Sequence, residues 1–258
     1  MEMMCSFETE FVAIERIDIE GIPCLKIRPK GSRGQLPTVI FYHGWSSNKE
    51  YQKFRGVSLA TYGYQVILPD ALHHGERNPI QYDDPKMMEV YFWKVVLQNV
   101  EESRTLIQEI VENHDGDPWR IGVMGSSMGG FSASGVFVHN SQLKCLINFN
   151  GSCAWAKAEE IFRQIGKIPP ADPSHLEMLA QYDPLQQKEA LRGRPILMLH
   201  GDGDSSVPID CQRVFYQEAS PLYKDAPEKL RLQEIPRLDH YITTGMLEEA
   251  ILWLKKYL

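Results

Sequence analysis

The sequence predicts an α/β fold: a mostly parallel, twisted sheet of about eight strands with helices on both faces. Three observations carry that expectation. Short, continuous apolar runs recur along the chain. Longer amphipathic stretches alternate with them. One such run leads through a glycine-flanked serine turn directly into a helical stretch. Continuous apolar strands separated by helices are strands buried on both faces, which is the condition of a parallel sheet.

The elements follow in order. Residues 11–19 alternate apolar and polar side chains, as a half-buried strand does. Gly21-Ile22-Pro23 turns into a second strand at 24–27, and the pair reads as an antiparallel hairpin at the sheet edge. After a polar loop at 31–36 come strands at 38–42, 65–69, 120–124, 144–149, 195–199 and 230–235. Helices are expected at 51–62, 86–113, 128–139, 209–219 and 243–257. One interval breaks the alternation. Residues 152–191 hold no clear strand and contain Pro169-Pro170 and Pro173, with room for short helices at 159–165 and 176–182. The chain, 1–258, is expected to be a single domain, with 152–191 as a small lid or cap insertion. A plain loop-and-helix connection is the other reading of that interval.

Composition removes several classes of function. Hydrophobic residues make up 43% and charged residues 24%, as in an ordinary globular protein. The net charge of −7 argues against a nucleic-acid surface, which needs clustered Lys and Arg. The five cysteines, Cys5, Cys24, Cys145, Cys153 and Cys211, are scattered and form no C-x-x-C pair. They suggest neither a disulfide framework nor a zinc cluster, and reduced thiols in a cytoplasmic protein are the expectation. No apolar run approaches the roughly 20 residues that span a bilayer, and the first residues lack a secretory pattern. No membrane, nucleic-acid, metal or organic-cofactor partner is therefore expected. Oligomeric state leaves no signature.

The chemistry concentrates after strand 120–124, where Gly125-Ser126-Ser127-Met128-Gly129-Gly130 precedes a helix. A strand, G-x-S-x-G and helix in succession put the serine on a tight, strained turn. Side chains at Gly125 and Gly129 would collide with the neighbouring strand and helix, and glycine removes the collision. Ser127 is the candidate nucleophile. Its neighbour Ser126 lacks the flanking glycines. A serine needs a histidine to take its proton and an acid to orient that histidine, in the chain order Ser, acid, His. Downstream, His200-Gly201-Asp202-Gly203-Asp204-Ser205-Ser206-Val207-Pro208 follows an apolar strand and offers Asp202, Asp204 and Asp210 nearby. Asp204, in the turn before the next helix, is favoured as the acid. Leu238-Asp239-His240-Tyr241 follows the last strand, and His240 is the only histidine after His200. The pair of N–H groups that an oxyanion requires falls to Met128, next to the nucleophile, and to Trp45, in the loop after strand 38–42. The Trp45 indole reads equally as pocket lining or as packing. His73-His74 resembles a metal pair but has no supporting acid or cysteine at ligand spacing.

Phe41-Tyr42-His43-Gly44-Trp45, the Gly125–Gly130 run, His200 to Pro208, and Asp239-His240 resemble four landmarks of the α/β-hydrolase superfamily. More narrowly, the chain is similar to the dienelactone hydrolase and prolyl-oligopeptidase-like branch. Within it, Phe41-Tyr42-His43-Gly44-Trp45 followed by Ser46-Ser47-Asn48-Lys49-Glu50 looks especially like short-chain carboxylesterases of Bacillus and its relatives. Pro69-Asp70 with His74-Gly75-Glu76-Arg77 resembles that branch's loop after the next strand. The resemblance spans about 11–258. It implies an α/β-hydrolase fold with Ser127 as nucleophile, Asp204 as acid, His240 as base, and Trp45 and Met128 as oxyanion donors. Dienelactone hydrolases proper use cysteine where Ser127 stands, which points away from dienelactone cleavage itself.

The expected function is hydrolysis of small carboxylic esters through an acyl-enzyme. The same triad would serve an amidase, a peptidase or a thioesterase, and the fold also occurs in non-catalytic binding proteins. The short 152–191 interval suggests a small pocket and short acyl chains. Trp155, Phe162 and Met178 are candidates to line it or to pack beneath it.

Overall fold

The computed structural model describes residues 9–258, so Cys5 lies outside the described residues. The edge hairpin pairs β1 (Val12–Ile19) with β2 (Ile22–Pro29), in register from Val12 opposite Pro29 to Ile19 opposite Ile22. Its two-residue turn, Glu20-Gly21, has positive φ at both positions, the backbone twist that suits a tight hairpin. The Asp18 carboxylate accepts the Gly21 N–H at 2.8 Å.

The remaining strands are β3 (Leu36–Tyr42), β4 (Gln65–Pro69), β5 (Gly116–Ser126), β6 (Leu146–Phe149), β7 (Ile196–Gly201) and β8 (Leu230–Ile235). They form one sheet in the order β1-β2-β4-β3-β5-β6-β7-β8. The pairs β1–β2 and β2–β4 are antiparallel, and every other pair is parallel. The helices are α1 (Lys53–Ala60), α2 (Pro85–Asn113), α3 (Met128–His139), α4 (Trp155–Gly166), α5 (Pro173–Tyr182), α6 (Asp210–Ala219) and α7 (Thr244–Tyr257).

Each strand feeds two cores because successive side chains point to opposite faces. Val39 and Phe41 of β3 pack with Leu59 of α1 and with Met246 and Leu254 of α7. Ile40 and Tyr42 join the other core with Val96 of α2 and Phe131 and Phe137 of α3. Full burial of such a Phe contributes roughly 1.5–3 kcal/mol.

The chain leaves β3 toward β4 on one side, and β5 leads to β6 on the other, although β3 and β5 are neighbours. The carboxyl ends of β3 and β5 therefore flank the point where strand order reverses. There the loops diverge and open sheets bind ligands.

Three departures from the expected elements have identifiable causes. The single helix expected at 51–62 is a 3₁₀ turn, Lys49–Gln52, followed by α1. Asn48 starts it early by accepting from the Glu50 and Tyr51 N–H groups at 2.9 and 3.3 Å. Strand 120–124 lengthens to β5 because its first residue, Gly116, pairs with Leu36 across a register shift. In 152–191, both helices start earlier than expected. Asp172 caps α5 through the Ser174 N–H at 2.9 Å, with Pro173 in the first turn where it needs no donor. The start of α4 is capped from afar: both Asp183 oxygens accept, from Trp155 N–H and Ala156 N–H, each at 3.0 Å. No described helix is long and apolar enough to cross a membrane.

Candidate active site

Ser127 stands between β5 and α3 with φ 56° and ψ −124°, a conformation that a residue with a side chain adopts at a cost of about 1–3 kcal/mol. The turn is held on both sides. The Ser127 N–H donates to the Phe149 carbonyl at 2.9 Å, and its own carbonyl accepts from Gly130 and Phe131. A Cβ on Gly125 would overlap the Gly129 carbonyl, and one on Gly129 would overlap the Tyr42 carbonyl of β3. The two glycines are thus required by the helix that follows and by the strand alongside, as expected from the motif.

The loop after β3 lies directly against the serine. A Cβ on Gly44 would come within 3.2 Å of Ser127 Cβ and of the Ser126 carbonyl oxygen. Trp45 follows on that loop. Met128 opens α3, where first-turn N–H groups lack intrahelical acceptors and the helix dipole is positive. The Trp45 indole is packed edge-on against His74 and Tyr82, at centroid distances of 5.2 and 5.7 Å, and is tilted against Phe92 at 6.4 Å.

Buried polar groups fix this loop. His43 accepts the Ala71 N–H at Nε2, at 3.0 Å, so Nδ1 carries the proton that meets the Gly44 carbonyl at 2.8 Å. Burial pushes its imidazole down to about 4, and it stays neutral. The Asp70 carboxylate, fully buried, accepts from the Lys49 N–H, the Lys49 ammonium and the Glu76 N–H. A Cβ on Gly75 would overlap that carboxylate, which explains the glycine and its φ of 55°. The Pro69-Asp70 and His74–Arg77 segments are therefore the clamp that holds the Trp45 loop.

Asp204 and His240, the residues expected to be acid and base, sit on the loops after β7 and β8. His240 Nδ1 meets Asp204 Oδ2 at 2.7 Å. The Asp204 side chain is wholly buried, while that of His240 is 24% exposed. Asp204 Oδ1 accepts from the Ser206 and Val207 N–H groups at 2.9 and 2.8 Å. Burial alone would raise this carboxyl. The donors from His200, His240 and Val207 outweigh it and hold the group well below the usual carboxylate range. The rival acids have other work: Asp202 accepts the Arg237 N–H at 2.6 Å, and Asp210 pairs with Arg213.

Two residues to which the sequence assigned no role complete the arrangement. Asp239 Oδ1 accepts from Ser205 N–H, Ser205 hydroxyl and His240 N–H at 2.8 to 2.9 Å, lacing the acid loop to the base loop. Asn150, at φ 46°, donates to the Tyr241 carbonyl at 2.9 Å and accepts the Gly201 N–H at 3.1 Å. It follows Phe149, whose carbonyl holds the Ser127 N–H, so the serine turn and the base loop share one support. The Asn-Gly pair ending an apolar strand was the only hint of it. Of the pocket candidates, Trp155 is core, fully buried with its indole N–H on Ser134 at 3.2 Å. Phe162 is half-buried and meets Phe92 and Phe131 at 6.3 and 6.2 Å, and Met178 is half-buried against the same core.

The chain is similar to known proteins along nearly its whole length. It is 30% identical to YitV of Bacillus subtilis (strain 168), over 96% of this chain and 100% of that protein. It is 31% identical to the esterase YjfP of Escherichia coli (strain K12), again over 96% of this chain and 100% of that one. In fold it matches the crystal structure of TT1662 from Thermus thermophilus with a TM-score of 0.78 at 24% identity, over 95% and 97% of the two chains. Residues 22–221 match the model of the dienelactone hydrolase family. The eight-stranded sheet, the serine turn at its switch point and these likenesses agree: the chain is an α/β-hydrolase-fold hydrolase and belongs to the dienelactone hydrolase family.

Proposed function

We propose that this protein is a serine esterase that cleaves small, short-chain carboxylic esters through a covalent acyl-enzyme. The observation that carries the reading is the 2.7 Å bond from His240 to the buried, anionic Asp204, together with the strained Ser127 turn. Asp204 accepts the Nδ1–H of His240, which leaves Nε2 as the basic nitrogen. His240 takes the Ser127 hydroxyl proton as Oγ attacks the ester carbonyl. The oxyanion is met by the N–H groups of Met128 and Trp45. Collapse breaks the bond to the alkoxy oxygen, and His240 returns the proton to the departing alcohol. A water, deprotonated by His240, then attacks the acyl-serine and releases the acid. No metal or organic cofactor enters these steps.

The esterase name of YjfP, a relative at 31% identity, supports ester over amide. The half-buried rings of Trp45, Phe92 and Phe162 support a small apolar pocket. The chain works as one domain, with 152–191 as its small cap, and its buried, unpaired Cys24, Cys145, Cys153 and Cys211 fit a cytoplasmic location.

The test is hydrolysis of p-nitrophenyl esters of graded acyl length, with Ser127→Ala as the control. The wild type should prefer short acyl chains. The variant should lose on the order of 10⁴- to 10⁶-fold in kcat and should not label with a fluorophosphonate. A Ser127→Ala variant with full activity would refute the mechanism.

A further inference from the structure

His200 is the last side chain of β7 before Gly201, and no step above uses it. It is completely buried. Its Nε2 lies 2.7 Å from the Val207 carbonyl and 3.3 Å from Asp204 Oδ2. Its Nδ1 is buried and faces no polar partner. Two oxygens at Nε2 and none at Nδ1 place the proton on Nε2. The Val207 carbonyl belongs to the same turn whose Ser206 and Val207 N–H groups hold Asp204 Oδ1. Asp204 Oδ2, the atom His240 bonds, therefore has a second N–H beside it.

Resting on the Ser127–His240–Asp204 reading, we infer that His200 is a positioning residue: it closes the 204–207 turn around Asp204 and shares Asp204 Oδ2 with His240. Two consequences separate this role from plain packing. The first is geometric. The Val207 carbonyl bond fixes the turn, and the turn fixes the carboxylate plane that orients the imidazole. The second is electrostatic. An N–H beside Oδ2 offsets part of the carboxylate charge that reaches His240. Without it, the imidazolium of His240 is better stabilised, and the base stays protonated to higher pH. The other ionisable groups facing this site cannot substitute. Asp239 is committed to Ser205 and to the His240 N–H. Glu234 on β8 is paired with Arg213, and Asp210 on α6 with the same arginine. Burial pushes the Cys211 thiol up to about 12, so it stays neutral.

The experiment uses the full chain and compares wild type, His200→Leu and His200→Gln, the glutamine retaining a donor at about the Nε2 position. The kcat/KM–pH profile with a p-nitrophenyl ester is measured alongside the low-field proton resonance of the His240–Asp204 hydrogen bond. In His200→Leu, the acid limb should move up by about 0.5 pH unit. The resonance should shift, and kcat should fall while KM stays within about twofold because His200 touches no substrate. His200→Gln should return the limb and the resonance toward wild type. If His200→Leu folds and its acid limb and resonance coincide with wild type, the inference is wrong, whatever the loss in rate. If both variants shift alike, donor sharing is refuted. If His200→Leu does not fold, His200→Gln against wild type decides: a shifted limb in it overturns the inference. Wild-type protein with no Ser127-dependent hydrolysis would instead refute the triad reading itself.

Discussion

Replacing Lys49 by Met tests whether the clamp beneath the Trp45 loop matters as its burial suggests. The Lys49 side chain is 3% exposed and that of Asp70 is 0% exposed. Removing the ammonium leaves a buried carboxylate with two backbone donors, the Lys49 and Glu76 N–H groups. Breaking a buried pair in this way costs about 3–5 kcal/mol, and the two surviving donors place this case near the lower end. At roughly 2–4 °C per kcal/mol for a chain of this size, about 3 kcal/mol lowers Tm by about 6–12 °C. The pair is intact at neutral pH. Burial would lower the lysine, but its bonds to Asp70 and Glu76 raise it above 10.5. That contribution is therefore present at neutral pH and is lost only when pH climbs through the raised value. Thermal unfolding at pH 7 gives the measurement, repeated on Asp70→Asn and on the double variant. The double should lose at least about 1 kcal/mol less than the sum of the singles, since each single strands the other partner. A Lys49→Met melt within about 3 °C of wild type, or strict additivity, would refute the reasoning. Because Gly44 and Trp45 ride on this loop, kcat should also fall more than KM rises.

Two further expectations concern the acid and base loops. Asp204→Asn should lose about 10⁴-fold in kcat, because the amide no longer dictates the tautomer of His240. Its stability should also respond differently to pH. The Asp204 carboxyl lies below its ordinary 3.8, so its contribution is complete above that value and is lost as pH falls through the depressed one. The Tm gap between wild type and variant should be widest near neutrality and narrow in acid, and parallel Tm curves from pH 7 to 3 would contradict this. Asn150→Ala strands the Gly201 N–H and releases the Tyr241 carbonyl, at a cost of about 1–3 kcal/mol. Urea unfolding measures that loss. The rate assay should show kcat reduced about tenfold with KM nearly unchanged, and wild-type kcat would mean the base loop needs no tether.

Residues whose environment is made by near neighbours were legible, and residues whose environment comes from another element were not. Gly125 is required by Gly129, four residues on, and although Gly129 is required by the Tyr42 carbonyl of β3, the serine motif itself specifies the residue type at both positions. Asp204 stood out from Asp202 by its place in the turn, and the turn is what holds it, through N–H groups two and three residues on. The sequence pattern placed β4 and β8 to the residue for different reasons: every residue of β4 is buried, so its apolar run is unbroken, whereas β8 is the half-exposed edge strand that ends the sheet. By contrast, α4 begins at Trp155 because a carboxylate 28 residues later accepts its first N–H groups. The base loop is tethered by Asn150, 91 residues before the carbonyl it meets. Neither cap nor tether leaves a pattern near the element it stabilises, since Ser152-Cys153-Ala154 offers no bonded local cap for Trp155, and Tyr241 contributes only backbone. His200 lies between these cases. It sits inside a segment that resembles a family landmark, four residues from Asp204, yet a histidine ending an apolar strand has many uses and the sequence alone assigns it none. What distinguishes it is the Val207 carbonyl on one nitrogen and nothing on the other, a difference that exists only once the turn is folded around it.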